Sequence, residues 1–321
     1  MWTLARMGSQ AGKRFFITGA NSGVGYSAAV ELARRGAVVV LACRDRARGE
    51  AALAKLRMDA SGPDSAAGSA ELVELDLASL DSVRAVAEGE LARQEPLHGL
   101  INNAGVMAPP KRQVTKDGFE VQFGTNVLGH FALTCQLMPA LLLGRASILE
   151  DAPRVVTLAS IAHKRGRLNF DDLQSERRYN PMTAYAQSKL ADLMFAFELD
   201  RRLRAAHVAV LSIGCHPGVA QSNLFKVGSG KGIAGVAQNA IRGTIRTLLN
   251  SQLDGAIPTL FAATSPQAVG GGYYGSQGFL EMRGGDVGPA KVAPQARDEA
   301  AAKRLWEVCE ELTGVGLELG K

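Results

Sequence analysis

Lys13-Arg14-Phe15-Phe16-Ile17-Thr18-Gly19-Ala20-Asn21-Ser22-Gly23-Val24-Gly25 joins a short apolar run to a glycine-rich turn. The run reads as a buried strand, and residues 26–35 follow as a helix stopped by Gly36. Ala37-Val38-Val39-Val40-Leu41-Ala42 is then an unbroken, β-branched stretch, as expected of a strand covered on both faces. Strand, turn, helix and strand make a βαβ unit at the start of the chain. A glycine-rich turn alone is weak evidence and often no more than a tight strand-to-helix turn. In this context its glycines let the backbone approach a pyrophosphate, and the free N–H groups at the helix start face that anion. Gly19, Asn21, Ser22, Gly23, Val24 and Gly25 are therefore the expected cradle of a dinucleotide.

The alternation continues downstream. Helices are expected over residues 46–58, 80–93, 119–143, 181–206, 256–264 and 298–312, and strands over 71–75, 97–101, 154–159, 208–213 and 272–275. The long helix should be disturbed near Pro139, and Pro181 suits a first helical turn. The fold class is α/β: one doubly wound, Rossmann-type domain with a mostly parallel seven-stranded sheet and right-handed crossovers. Residues 1–12 form an N-terminal tail and 13–275 the catalytic domain, with 222–250 as a substrate-side lid. Residues 276–321 are a C-terminal extension packed on the same domain.

In such sheets ligands bind beyond the carboxyl ends of the strands. The glycine turn, Arg44, Asp76, Asn102-Asn103-Ala104-Gly105, Ser160 and Pro217-Gly218 each fall just after a strand, on one edge of the sheet. After the second strand, a carboxylate would hold a ribose 2′-hydroxyl. Cys43 stands there instead, followed by Arg44, whose guanidinium suits a 2′-phosphate, so the cofactor expected is NADP(H). The plainer reading makes Arg44 and Arg46 solvated, with Asp45 as a helix cap. Asp76 and Leu77 fall where an adenine would lie, and Asp76 serves equally well as a helix cap. Asn103, Ala104 and Gly105 let the backbone pass the adenosine ribose, and Pro217 and Gly218, with Val219 next, follow the sixth strand on the same edge. Asn126 sits inside a predicted helix, where Asn is a poor former, and points to a backbone disturbance, a water site or a buried hydrogen bond. Met107, Leu168, Phe170, Tyr179, Leu224 and Phe225 are candidates for the substrate wall or for core, and His163 and His216 for its margin.

Tyr185-Ala186-Gln187-Ser188-Lys189 places a phenol and an ammonium on one face of a helix, four residues apart. A free phenol is a poor acid or base at neutral pH, and an ammonium beside it favours the phenolate. The pair reads as a proton-transfer device, with Ser160 supplying a hydroxyl for a substrate oxygen.

Composition narrows the class. The 321 residues are 46% hydrophobic and 21% charged, an ordinary globular balance. The formal charge of +5 is spread over scattered arginines without interleaved aromatics, so a nucleic-acid surface is not expected. Cys43, Cys135, Cys215 and Cys309 lie far apart, without metal spacing, as reduced thiols of a cytoplasmic protein do. Residues 1–12 hold no signal peptide or membrane anchor. The apolar run 131–143 is too short to span a bilayer and reads as a buried helix.

Thr18-Gly19-x-x-x-Gly23-x-Gly25, Asn103-Ala104-Gly105, Asn126, Ser160, Tyr185-x-x-x-Lys189 and Pro217-Gly218 together resemble the short-chain dehydrogenase/reductase family. The likeness is dense from residue 13 to 218. Leu41-Ala42-Cys43-Arg44-Asp45, Ser160-Ile161-Ala162-His163 and Asn169-Phe170-Asp171-Asp172-Leu173, with Tyr185 lying 25 positions after Ser160, resemble its retinol-dehydrogenase and protochlorophyllide-reductase-like subgroup. Asp192 and Ala159 depart from it, since Asn and a second Ser are common there. Membrane-bound animal members carry an N-terminal apolar anchor that residues 1–12 lack, so a retinoid substrate is not implied. The resemblance implies catalytic roles for Asn126, Ser160, Tyr185 and Lys189. Tyr185 is the acid/base, Lys189 also holds the nicotinamide ribose, Ser160 positions the carbonyl and Asn126 anchors a relay water. The resemblance also implies that the stretch from Pro217 to Val219 faces the nicotinamide. It implies hydride transfer between NADP(H) and a carbonyl or secondary alcohol of an apolar or amphipathic small molecule, in a monomer or homodimer without a metal. Two alternatives share the same residues: reduction of a conjugated C=C bond, and a non-catalytic NADP(H)-binding sensor or scaffold.

Overall fold

The computed structural model describes residues 2–62, 66, 68–144, 151–219, 250–284 and 286–319. The segment expected as a lid, 222–250, lies outside them except for Asn250. Strands β1 (Arg14–Thr18), β2 (Val38–Cys43), β3 (Ser69–Glu74), β4 (Gly99–Asn102), β5 (Arg154–Leu158), β6 (Leu211–Cys215), β7 (Tyr273–Ser276) and β8 (Val287–Pro289) form one sheet. Their order is β3-β2-β1-β4-β5-β6-β7-β8. The first seven run parallel, and β8 pairs antiparallel with β7. The sheet thus has one strand more than the seven expected. β8 is three residues long and carries Gly288 and Pro289, both poor strand formers, so it leaves no pattern in the sequence. Proline is tolerated there because β8 is an edge. Trp2, in the segment expected as a tail, bridges to Val287 and packs edge-on against Phe261 at 5.6 Å.

Helices α1 (Gly23–Arg34), α2 (Arg46–Asp59) and α6 (Gln252–Thr264) bury their apolar faces with Phe15, Ile17, Val39 and Leu41 on one side of the sheet. On the other side, α3 (Leu80–Ala92), α4 (Gly129–Leu143) and α5 (Pro181–Ala205) pack on Phe16, Val40, Leu100 and Val155. A final helix, α7 (Glu299–Thr313), lies on α5. Both faces of the central strands are covered, which is why their sequence is continuously apolar and not alternating.

The long central helix departs from expectation in place. It runs through Pro139 to Leu143, and the irregularity lies instead at Phe123–Leu128, a π-helical turn around Asn126. With that turn included, Phe123–Leu143 is 21 residues and long enough to cross a bilayer, more than the run read from sequence; in this fold it is mostly buried in the core. At the amino end of the sheet, Arg14 is clamped by Glu90 and Glu71, each at 2.6 Å, which ties β1 to α3 and β3.

Candidate active site

One cleft of about 1770 Å³ opens at the carboxyl ends of the strands. Gly19, Asn21, Ser22, Gly23, Val24, Gly25, Arg44, Asp76, Leu77, Asn103, Ala104, Gly105, Ser160, Tyr185, Lys189, Pro217, Gly218 and Val219 all line it. Asn126 is fully buried behind it.

The glycine turn is built for this position. Gly19 and Gly23 have φ of 67° and 63°, the left-handed region that side chains rarely adopt. Ser22 begins α1 without a side-chain capping bond, so the first-turn N–H groups are left for an anion in the cleft. The double Asn has a structural explanation. Asn102 Nδ2 donates to Thr134 Oγ1 at 2.9 Å, and Asn103 Nδ2 to Thr18 O at 2.7 Å. The Asn103 side chain thereby pins the end of β4 to the glycine turn.

Behind the cleft runs a buried polar chain. Asn126 Oδ1 accepts from Val106 N at 2.7 Å, and its Nδ2 lies 3.0 Å from both Val106 O and Ser188 Oγ. His130 Nδ1 donates to Asn126 O at 2.8 Å, because a carbonyl can only accept; its Nε2 then accepts from Thr18 Oγ1 at 2.9 Å. Burial holds His130 down at about 3, so the ring is neutral. This side-chain work answers the Asn at a helix-interior position, and the π turn gives it room.

Ser160 follows β5 and lines the cleft, and its Oγ accepts from Ala162 N at 3.1 Å. His163 Nδ1 donates to Ser160 O at 2.6 Å, and its Nε2 accepts from Ala293 N at 3.2 Å. Tyr185 and Lys189 stand one turn apart on α5, whose start is set by Pro181 and by Asn180 capping Met182 N and Thr183 N. Lys189 Nζ donates to Leu158 O at 2.8 Å and to Asp192 Oδ2 at 2.8 Å. Its own burial, which lowers an ammonium's pKa, is outweighed by Asp192 and Tyr185, and the net direction is up.

At the far end of the cleft Arg44 is joined by Arg48 and Lys55, two cations that sequence reading passed over. They lie on α2 at four- and eleven-residue offsets from Arg44, where solvated helix charges look the same. Asp45 caps α2 by accepting from Arg48 N, as the plainer reading had it, and this leaves Arg44 itself on the cleft wall. Asp76 does not cap α3, a task done by Ser79; it accepts from Ala78 N and pairs with Lys116 at 3.5 Å.

The profile of the family described as short chain dehydrogenase matches residues 13–229. The chain belongs to the short-chain dehydrogenases. It is 41% identical to retinol dehydrogenase 14 of Mus musculus over 317 residues, 96% of this chain and 88% of that protein. A solved structure of an uncharacterized protein from Mycobacterium paratuberculosis is 39% identical, with a TM-score of 0.78 over 99% of both chains. Another, from Beutenbergia cavernae, is described as an NAD(P)-dependent gluconate 5-dehydrogenase with bound NADP. It is 25% identical, with a TM-score of 0.59 over 83% of this chain and 95% of that one.

The apolar lining of the cleft in this short-chain dehydrogenase differs from the sequence expectation. Met107 lines the cleft. Leu168 and Phe170 instead pack on the core, with Arg304 over the Phe170 ring at 4.2 Å, and Tyr179 OH donates to Pro109 O at 2.7 Å. Leu224 and Phe225 lie outside the described residues. His163 and His216 are fully buried and not on the cleft wall. Ile161, Met182, Leu280 and Met282 supply the apolar wall that sequence did not reveal. Leu280 and Glu281 have φ of 51° and 60°, and Glu281 pairs with Lys164 just after Ser160. Val219 N donates to Met282 O at 2.9 Å, joining the end of β6 to the same turn.

Proposed function

We propose that this short-chain dehydrogenase transfers a hydride between NADP(H) and the carbonyl or secondary alcohol of an apolar or amphipathic small molecule. Tyr185 is the general acid in reduction and the base in oxidation. The observation that carries the reading is convergence: Ser160, Tyr185 and Lys189 line the same cleft as the glycine turn and Arg44.

The donor set fits a phosphorylated dinucleotide. The uncapped start of α1 and the left-handed glycines suit a pyrophosphate, while Arg44 offers a cation where a carboxylate would otherwise read a 2′-hydroxyl, beside Arg48 and Lys55, which pair with Asp45 and Asp59. When bound, NADP(H) supplies or accepts the hydride. The chain's own residues do the rest. Ser160 Oγ orients the substrate oxygen, and Tyr185 OH gives or takes the proton at that oxygen. The Lys189 ammonium, held by Leu158 O and Asp192, favours the phenolate. Asn126 holds the backbone at Val106, and its suggested part in a relay water to Lys189 belongs to this proposal. The exposed apolar rim of Met182, Leu280 and Met282 supports an apolar substrate, as does likeness to a protein named for retinol.

The test is a panel of retinoid, aliphatic and aromatic aldehydes, ketones and alcohols, followed by NADPH absorbance. Tyr185→Phe is expected to lower turnover at least ~10²-fold while NADPH binding stays within a few fold. Turnover that survives in this variant overturns the assignment.

A further inference from the structure

Asp192 lies three residues after Lys189 on α5, and the two side chains are 7% and 4% exposed. Of the three ammonium protons on Lys189, one goes to Leu158 O and one to Asp192 Oδ2, which leaves one for the cleft. A nearly dry carboxylate is costly unless paired. An asparagine at this position would offer an amide oxygen to the same proton without that cost, so what aspartate adds is charge.

We propose that Asp192 is a positioning residue, a buried counter-charge that pins the Lys189 ammonium and trims its field at Tyr185. The inference rests on the reading of Tyr185 and Lys189 given above. The groups facing the pair from neighbouring elements are neutral. Burial holds His130 of α4 down at about 3, pushes Cys215 of β6 up to about 12, and raises Cys309 of α7. Tyr273 of β7, which interacts with Tyr185, is likewise kept neutral by burial, and the Lys189–Asp192 ion pair is the buried charge on α5 beside that phenol. Burial pushes the Asp192 carboxyl up to about 6 against the pull of Lys189, and it remains ionised at neutral pH. A bare ammonium would favour the phenolate more strongly than the pair does, because the carboxylate, two turns from Tyr185, opposes the second negative charge. Asp192 therefore raises the pH at which the phenol becomes a base and confines the ammonium to one geometry.

The test is the pH profile of alcohol oxidation, which rises as the base deprotonates. Asp192→Asn is expected to move the midpoint down by about one pH unit, and Asp192→Glu to keep it near the wild-type value. A midpoint that stays in place, or moves up, in Asp192→Asn overturns the proposal. Asp192→Ser is the second neutral variant, read in the same way if the amide does not fold. Failure of both to fold beside a folded Asp192→Glu marks a purely structural ion pair and also overturns it. Absence of turnover in the wild type removes the reading of Tyr185 and this inference together, whereas wild-type turnover with an unmoved variant midpoint removes this inference alone.

Discussion

The Asn103 side chain lies against the Cα of Gly25. Its Nδ2 donates to Thr18 O at 2.7 Å, and a Cβ on residue 25 would stand 2.3 Å from that nitrogen. The glycine is needed for a protein contact as much as for a ligand. Gly25→Ala is expected to push Asn103 off Thr18 and to cost about 1–3 kcal/mol, as overpacking does. Denaturant unfolding reads the loss, and NADPH titration should show weakened binding because the turn is held by the same bond. A variant as stable as wild type would mean that the Asn103 clamp is dispensable.

Arg44 is the residue proposed to separate the two nicotinamide cofactors. Its guanidinium lines the cleft beyond β2, where Cys43 provides no carboxylate. Hydrogen bonds to a charged group are worth about 1.5–3 kcal/mol, so Arg44→Ala should weaken NADPH by roughly 10- to 150-fold and leave NADH nearly unchanged. Isothermal titration with both cofactors checks this. Equal losses for the two would assign Arg44 to the turn and not to a 2′-phosphate.

Three buried imidazoles make the fold acid-sensitive. Burial holds His130 at about 3 and His216 at about 4, and pulls His163 below the usual range near 6.5. The unfolded chain takes up these protons first as pH falls. Their contribution is therefore complete above about 6.5 and is lost progressively below it, down to each folded value. At pH 5 that is about 2 kcal/mol each for His130 and His216. Asp192 has the opposite sign: its folded value of about 6 exceeds the unfolded 3.8, so the native state gains a proton first and recovers about 1 kcal/mol by pH 5. Urea unfolding at pH 7 and pH 5 should show a net loss of several kcal/mol, and equal stabilities would contradict it.

Much of this molecule is legible in the chain because the informative residues are local. Val38–Cys43 is continuously apolar since both faces are covered, and Tyr185 with Lys189 is readable because four residues make a helical turn. Other features have no local signal. The Lys164–Glu281 pair spans 117 positions, and β8 is three residues with a proline. The apolar wall of Leu280 and Met282 sits on a turn whose left-handed residues are not glycines. Asn126 was half legible: its unsuitability for a helix showed, while its partners Val106 and Ser188 did not. Asp192 stands at a readable i,i+3 spacing from Lys189, yet the sequence does not tell that the pair is buried, which the fold shows.

Trp306 decides whether α7 is ornament or part of the core. Its ring stacks on Phe195 of α5 at 5.7 Å and meets Phe131 of α4 edge-on at 4.9 Å, while Arg202 lies over it at 4.3 Å. Its Nε1 donates to Glu310 Oε1 at 2.7 Å, so the indole is satisfied on both its apolar and polar sides. α5 carries Tyr185 and Lys189, and any tilt of that helix reaches the cleft directly. Trp306→Ala is expected to cost about 3–5 kcal/mol by opening a cavity between three helices. Trp306→Phe keeps the stacking and should recover more than half of that. Chemical denaturation measures both, with turnover recorded beside it. If Trp306→Ala unfolded at the wild-type midpoint, α7 would be a passive cover and the geometry of α5 would be set by the sheet alone.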